Sequence, residues 1–110
     1  MTNQEVAQKY LEYFCAGKID DVASLLAPNL TFTGTLQTFG TAAEYITSLK
    51  DDPPGQCDFN ILSITESNDS VAIFYEYIKP EGVVQISQLF TIADGRIKEI
   101  LLIFDGRGCD

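Results

Sequence analysis

The stretch SVAIFYEYIKPEGVVQISQLFTIADGRIKEILLIFD, Ser70 to Asp105, decides the fold. It is rich in Ile, Val, Phe and Tyr, which favour strands, and is punctuated only at Pro80-Glu81-Gly82 and Asp94-Gly95. It therefore predicts strands over 70–79, 83–93 and 96–105. Asp94-Gly95 fits a two-residue hairpin turn, whose central positions must both tolerate positive φ. A further strand over 57–66 precedes them, separated by Ser67-Asn68-Asp69. Four consecutive strands make a meander.

Alternation assigns the two faces of that sheet. One set is Ile73, Tyr75 and Tyr77 with Val84, Ile86, Gln88 and Phe90, then Ile100, Leu102 and Phe104. This more apolar set is expected to face helices. The other set mixes Phe74, Ile78, Val83, Leu89, Leu101 and Ile103 with Glu76, Gln85, Glu99 and Asp105. It is too apolar for a solvated face and too charged for a core, which points to a homodimer through the outer sheet. A different protein docking there is the third reading of the chain.

Upstream the period changes to that of helices. Thr2 and Glu5 form a capping box, and a helix should run to about Ala16 and stop at Gly17, with Val6, Tyr10, Tyr13 and Phe14 as its apolar stripe, widened by Ala7 and Leu11. A second helix fits Asp20 to Ala27, with Pro28 marking its exit. Leu30 to Thr35 reads as a short strand. Thr41 and Glu44 form a second capping box and open a helix carrying Tyr45, Ile46 and Leu49, which ends in the rigid connector Asp51-Asp52-Pro53-Pro54-Gly55. The expectation is α+β: three N-terminal helices on a curved, mostly antiparallel sheet, in the order helix, helix, strand, helix, four strands, as one domain over 1–110.

Composition narrows the chemistry. Seven Lys and Arg against sixteen Asp and Glu leave a formal charge of −9 over 110 residues, which disfavours nucleic acid and anionic membranes as partners. The chain has no histidine, so Ser-His, Cys-His and His-metal arrangements are excluded. No cofactor or metal site is indicated: the acids at Asp20-Asp21 and Asp51-Asp52 lack calcium-loop spacing, and Gly34, Gly40 and Gly55 are isolated rather than a phosphate loop. Cys15, Cys57 and Cys109 lack any CxxC spacing and read as buried or tail thiols, Cys109 being the one expected to oxidise between chains. No secretory signal or membrane segment is visible, so the two glycosylation triplets at Asn29 and Asn68 carry no weight and a cytoplasmic protein is expected.

Several segments together resemble the nuclear-transport-factor-2-like superfamily: Gln8-Lys9-Tyr10-Leu11, Ala16-Gly17-Lys18-Ile19-Asp20-Asp21-Val22, Leu25 to Phe32, Gly40 to Ile46, and Phe90 to Ile97. The resemblance covers nearly the whole chain in order. It implies a SnoaL-like cone, a curved sheet around a long helix enclosing an apolar cavity, commonly dimeric. The superfamily holds ketosteroid isomerases, polyketide cyclases, dehydratases, epoxide hydrolases and many members without activity, so the fold does not choose a function.

Residue by residue, the resemblance puts Tyr10 where the isomerases hold an oxyanion-hole tyrosine and Gln88 where they hold a second donor. Tyr75 and Phe104 match cavity-lining positions. Gly34 stands where the isomerases place the proton-moving aspartate, and glycine has no base. Tyr10, Phe14, Tyr45, Tyr75, Gln88 and Phe104 are thus the expected pocket lining, and no catalytic residue is assigned. Gln88 on an apolar face must either pair with a neighbour such as Tyr10 or Tyr75 or line a cavity, because an unpaired buried amide costs about 1–3 kcal/mol. Glu76 points outward on this parity; a slip of one residue would bring it into the cavity as a base. The expected function is binding of a small hydrophobic molecule. The alternative is a lyase or isomerase that polarises a carbonyl with Tyr10 and Gln88.

Overall fold

A computed structural model describes residues 2–35, 37–53 and 57–104. The expectations for Pro54, Gly55, Asp105 and Cys109 lie outside the described residues. The elements run α1 (Asn3–Cys15), α2 (Ile19–Ser24), β1 (Leu26–Thr33), β2 (Thr38–Phe39), α3 (Ala42–Asp51), β3 (Asp58–Ser67), β4 (Ser70–Lys79), β5 (Gly82–Ala93) and β6 (Arg96–Phe104). Six strands form one sheet in the order β2-β1-β6-β5-β4-β3. All pairings are antiparallel except that of β1 with β6. The sheet curves without closing, and the helices pack on its concave side. The class is α+β, as the order of the elements implied.

Local chemistry explains the ends of α1. Thr2 accepts from the Glu5 amide at 3.2 Å, and Glu5 accepts from the Thr2 amide at 3.0 Å. These reciprocal bonds satisfy two of the helix's orphan donors. At the other end Lys18 N donates to the Tyr13 carbonyl and Gly17 N to that of Phe14, with Gly17 at φ +75°. That is the Schellman closure, which glycine enters without a Cβ penalty. Val6, Ala7, Tyr10 and Leu11 are buried on one face; Tyr13 and Phe14 pack against that core from half-buried positions.

Three expectations are corrected. The second helix stops at Ser24 rather than Ala27, and the chain passes at once into β1, where Leu26 pairs with Ile97. Pro28 is therefore inside a strand. It falls where the β1–β6 register shifts, between the pairs Leu26–Ile97 and Thr31–Glu99, a break in the ladder that tolerates a residue with no N–H. Secondly, β1 begins four residues before the expected Leu30, and the two-residue β2 was not foreseen. Thirdly, Thr41 makes only half of its box among the described residues: its hydroxyl accepts from the Glu44 amide at 3.1 Å.

The meander follows the expected parity. Ile73, Tyr75, Ile86, Gln88, Phe90 and Ile100 are buried beneath the helices, whereas Phe74, Val83 and Ile103 are about half exposed on the other face. Asp94 and Gly95 both take positive φ, 54° and 75°, between the paired Ala93 and Arg96.

Candidate functional site

Concavity leaves a space between the sheet, α1 and α3. This cavity has a volume of about 300 Å³, at the small end of ligand sites. Tyr10 and Phe14 enter from α1, Tyr45 from α3, Tyr75 from β4, Gln88 from β5 and Phe104 from β6, and all six line it. Leu11, Phe32, Tyr77, Ile86 and Leu102 complete an apolar wall, with Gln37, Ser48 and Lys79 also on the lining. Phe32 stacks on Tyr45 with centroids 4.7 Å apart, and Tyr10 meets Phe90 edge-on at 5.2 Å.

Four of the polar side chains on the lining join in pairs. The hydroxyls of Tyr10 and Tyr45 share a hydrogen bond across 35 positions of sequence. Tyr75 donates to Gln88 Oε1 at 2.7 Å. The latter pair is diagonal in the ladder, since Tyr75 lies opposite Ile86 and Gln88 opposite Ile73, a separation long side chains can span. Both options open for Gln88 are therefore realised together: it pairs with a neighbour and it lines a cavity. Among the described residues, no buried side-chain polar atom lacks a partner.

Burial dominates the electrostatics. It pushes the Tyr10 hydroxyl up to about 12, against the opposing effect of its polar neighbours Tyr45 and Gln88. Tyr45 and Tyr75 are driven well above the usual phenol range, first by burial and then by the neighbouring Tyr10. All three are neutral donors at physiological pH. Two hydroxyls sharing one hydrogen bond use one proton, so the Tyr10–Tyr45 pair keeps a second O–H for a third partner. Whichever oxygen donates, that count is the same.

The site is less equipped to move a proton. No carboxylate lines the cavity among the described residues. Glu76 keeps the outward parity, and its Oε1 accepts from Asn60 Nδ2 at 3.0 Å on the far side of the sheet. Gly34 lies away from the lining; a Cβ there would meet the Phe32 ring at 3.0 Å and the Gln37 carbonyl at 3.3 Å. Among the described residues no three His, Cys, Asp or Glu side chains cluster as a metal site, and no helix is long and apolar enough to cross a membrane. The arrangement can hold an apolar body and give a hydrogen bond to its acceptor.

One juxtaposition escaped the sequence reading. Cys15 and Cys57, judged unrelated by spacing, are neighbours: the Cys57 thiol donates to the Cys15 carbonyl at 3.9 Å. Tyr77 and Ile86 were legible as inward residues of their strands, although not as site residues; Phe32 was legible only as part of a short strand.

Comparison with known proteins agrees with this architecture. The SnoaL-like domain family matches residues 7–100. Among solved structures, an NTF2-like protein of unknown function from Cytophaga hutchinsonii is similar with a TM-score of 0.84 at 16% identity, covering 97% of this chain and 93% of that one. An LEH-like epoxide hydrolase of M. tuberculosis gives 0.78 at 19%, covering 92% and 80%. A de novo designed protein with a curved β-sheet gives 0.77 at 16%, covering 96% and 88%. No curated protein matches. Likeness at such identities shows the fold alone.

Proposed function

Starting from a chain that belongs to the SnoaL-like domain family, we propose that it binds a small, mainly apolar molecule carrying one hydrogen-bond acceptor, such as a ketone. The observation that carries this reading is the spare O–H of the Tyr10–Tyr45 pair on the wall of an apolar cavity. An apolar body fills the space among Phe14, Phe32, Tyr77, Ile86, Leu102 and Phe104, and its acceptor takes the proton that neither tyrosine needs. With no described carboxylate on the lining, binding is favoured over proton-transfer catalysis, which needs a base within hydrogen-bond reach of the substrate.

The test uses a ketone and a hydrocarbon of the same shape, 2-acetylnaphthalene and 2-isopropenylnaphthalene, competing against the neutral fluorophore N-phenyl-1-naphthylamine. The ketone should bind about 3–10-fold more tightly, the worth of one net hydrogen bond. Tyr10→Phe and Tyr45→Phe should each keep the preference, because one hydroxyl survives in either. The double variant should lose it. Equal binding of both compounds to the parent chain, or no uptake of the fluorophore, overturns the reading.

A second reading concerns the outer sheet face. Leu62, Phe74, Val83 and Ile103 are each about half exposed there, and Phe74 and Ile103 flank Ser87 in one cross-strand row. Clustered apolar side chains of this kind favour a symmetric homodimer through the sheet. Light scattering tests it: a twofold mass supports the dimer, and a monomer at high concentration leaves the face to a different protein.

A further inference from the structure

Cys15 ends α1, and Cys57 directly precedes β3. The elements α2, β1, β2 and α3 lie between them, yet the structure brings them together. The Cys57 thiol donates to the Cys15 carbonyl oxygen at 3.9 Å, and both thiols are free and half-buried. Their approach is held from both sides. Phe14, beside Cys15, packs on Tyr77 with ring centroids 6.3 Å apart. Phe59, two residues beyond Cys57, pairs with the same Tyr77 across the β3–β4 ladder.

We infer that Cys15 and Cys57 form a dithiol modification site, oxidised to an intramolecular disulfide by a small disulfide of the glutathione class. The Cys57 thiolate attacks one sulfur of the reagent, whose S–S bond breaks and expels a thiolate that takes up a proton. The Cys15 thiolate then attacks the Cys57 sulfur of the mixed disulfide and expels the second thiolate, which is protonated in turn. The cysteine pair loses two electrons and two protons, and the reagent disulfide is reduced to two thiols.

Cys15 is the resolving thiol: burial and then the neighbouring Cys57 raise it, which suits it to the second, intramolecular attack, where the target sulfur already lies beside it. The bond formed would tie the end of α1 to the first strand of the meander and close a loop holding α2, β1, β2 and α3, which restrains the unfolded chain.

The experiment uses the Cys109→Ser chain, so that the tail thiol cannot confuse the result. After incubation with oxidised glutathione and acid quenching, the intact mass should fall by two hydrogen atoms, and peptide mapping should find Cys15 joined to Cys57. The melting temperature should rise by about 5 °C or more and return to its starting value with dithiothreitol. Neither Cys15→Ser nor Cys57→Ser in that background should show the mass loss or the rise. Thiols that stay free, glutathione adducts that persist without an internal bond, or cross-links only between chains would each overturn the proposal.

Discussion

Gln88 condenses what a single residue can reveal. An amide at an inward position of an otherwise apolar strand is visible in the sequence, and its oddity pointed to a pocket. Its partner was narrowed to two tyrosines; the structure joins Tyr75 to its Oε1. The Tyr10–Tyr45 contact was not legible, because nothing local couples α1 to α3. The two pairs make separable predictions. Gln88→Leu strands the buried Tyr75 hydroxyl and should destabilise by about 1–3 kcal/mol. Adding Tyr75→Phe removes the orphaned group, so the double variant should recover part of that loss in chemical denaturation; simple addition of the single effects would dissolve the pair. A second prediction concerns pH. The unfolded Tyr10 phenol ionises near 10, whereas the folded one holds its proton to about 12. Its contribution is fully present below about pH 10 and is lost as pH rises toward 12, by about 2–3 kcal/mol for this residue alone. Urea titrations at pH 9 and pH 11.5 should therefore diverge, and less so in the Tyr10→Phe, Tyr45→Phe chain.

Elements were legible where backbone chemistry speaks locally and illegible where the sheet overrides it. The capping box at Thr2 and the Asp94-Gly95 turn were readable because each rule concerns a few adjacent residues. Pro28 misled for the same reason. It ends helices as a local rule, but here the helix had already closed at Ser24 and the parallel partner β6 drew Leu26 into a strand. The short β2 exists only by pairing with Phe32 and Thr33 of β1, which two residues cannot advertise. Two glycines give a prediction whose sign differs. Gly95 holds φ at +75° with nothing near a built Cβ, so Gly95→Ala should cost about 1–2 kcal/mol through the backbone alone. Gly40 has equally open space but no positive φ, and Gly40→Ala should be neutral or stabilising by about 0.4–1 kcal/mol through the unfolded chain. Thermal melts of the two variants should move in opposite directions or, at least, only the first should fall.

At the scale of the whole molecule, one parity organises both sides of the sheet. The same alternation that turns Tyr75, Gln88 and Phe104 toward the helices turns Phe74, Ser87 and Ile103 away from them. The cavity and the proposed dimer face are therefore one decision of the sequence, and it was legible because a period of two leaves no third direction. Charge then sets how the outer face behaves. Each chain carries a formal −9, and Glu99 is exposed on the same strand face as Ile103, so two copies meeting through their sheets approach against like charge. Salt screens that repulsion, with a Debye length of about 30 Å at 0.01 M and about 3 Å at 1 M, while it leaves apolar burial intact. The dimer should consequently strengthen as sodium chloride rises from 10 mM to about 500 mM, the reverse of an interface held by ion pairs. Ile103→Glu should dissociate it at every salt concentration, because it removes apolar area and adds a carboxylate on each side of the two-fold. Its effect on folding should be small, since Ile103 is 55% exposed in the single chain. Sedimentation at several salt concentrations decides the matter: a mass that falls with salt, or an Ile103→Glu chain as dimeric as its parent, would place self-association elsewhere on the surface.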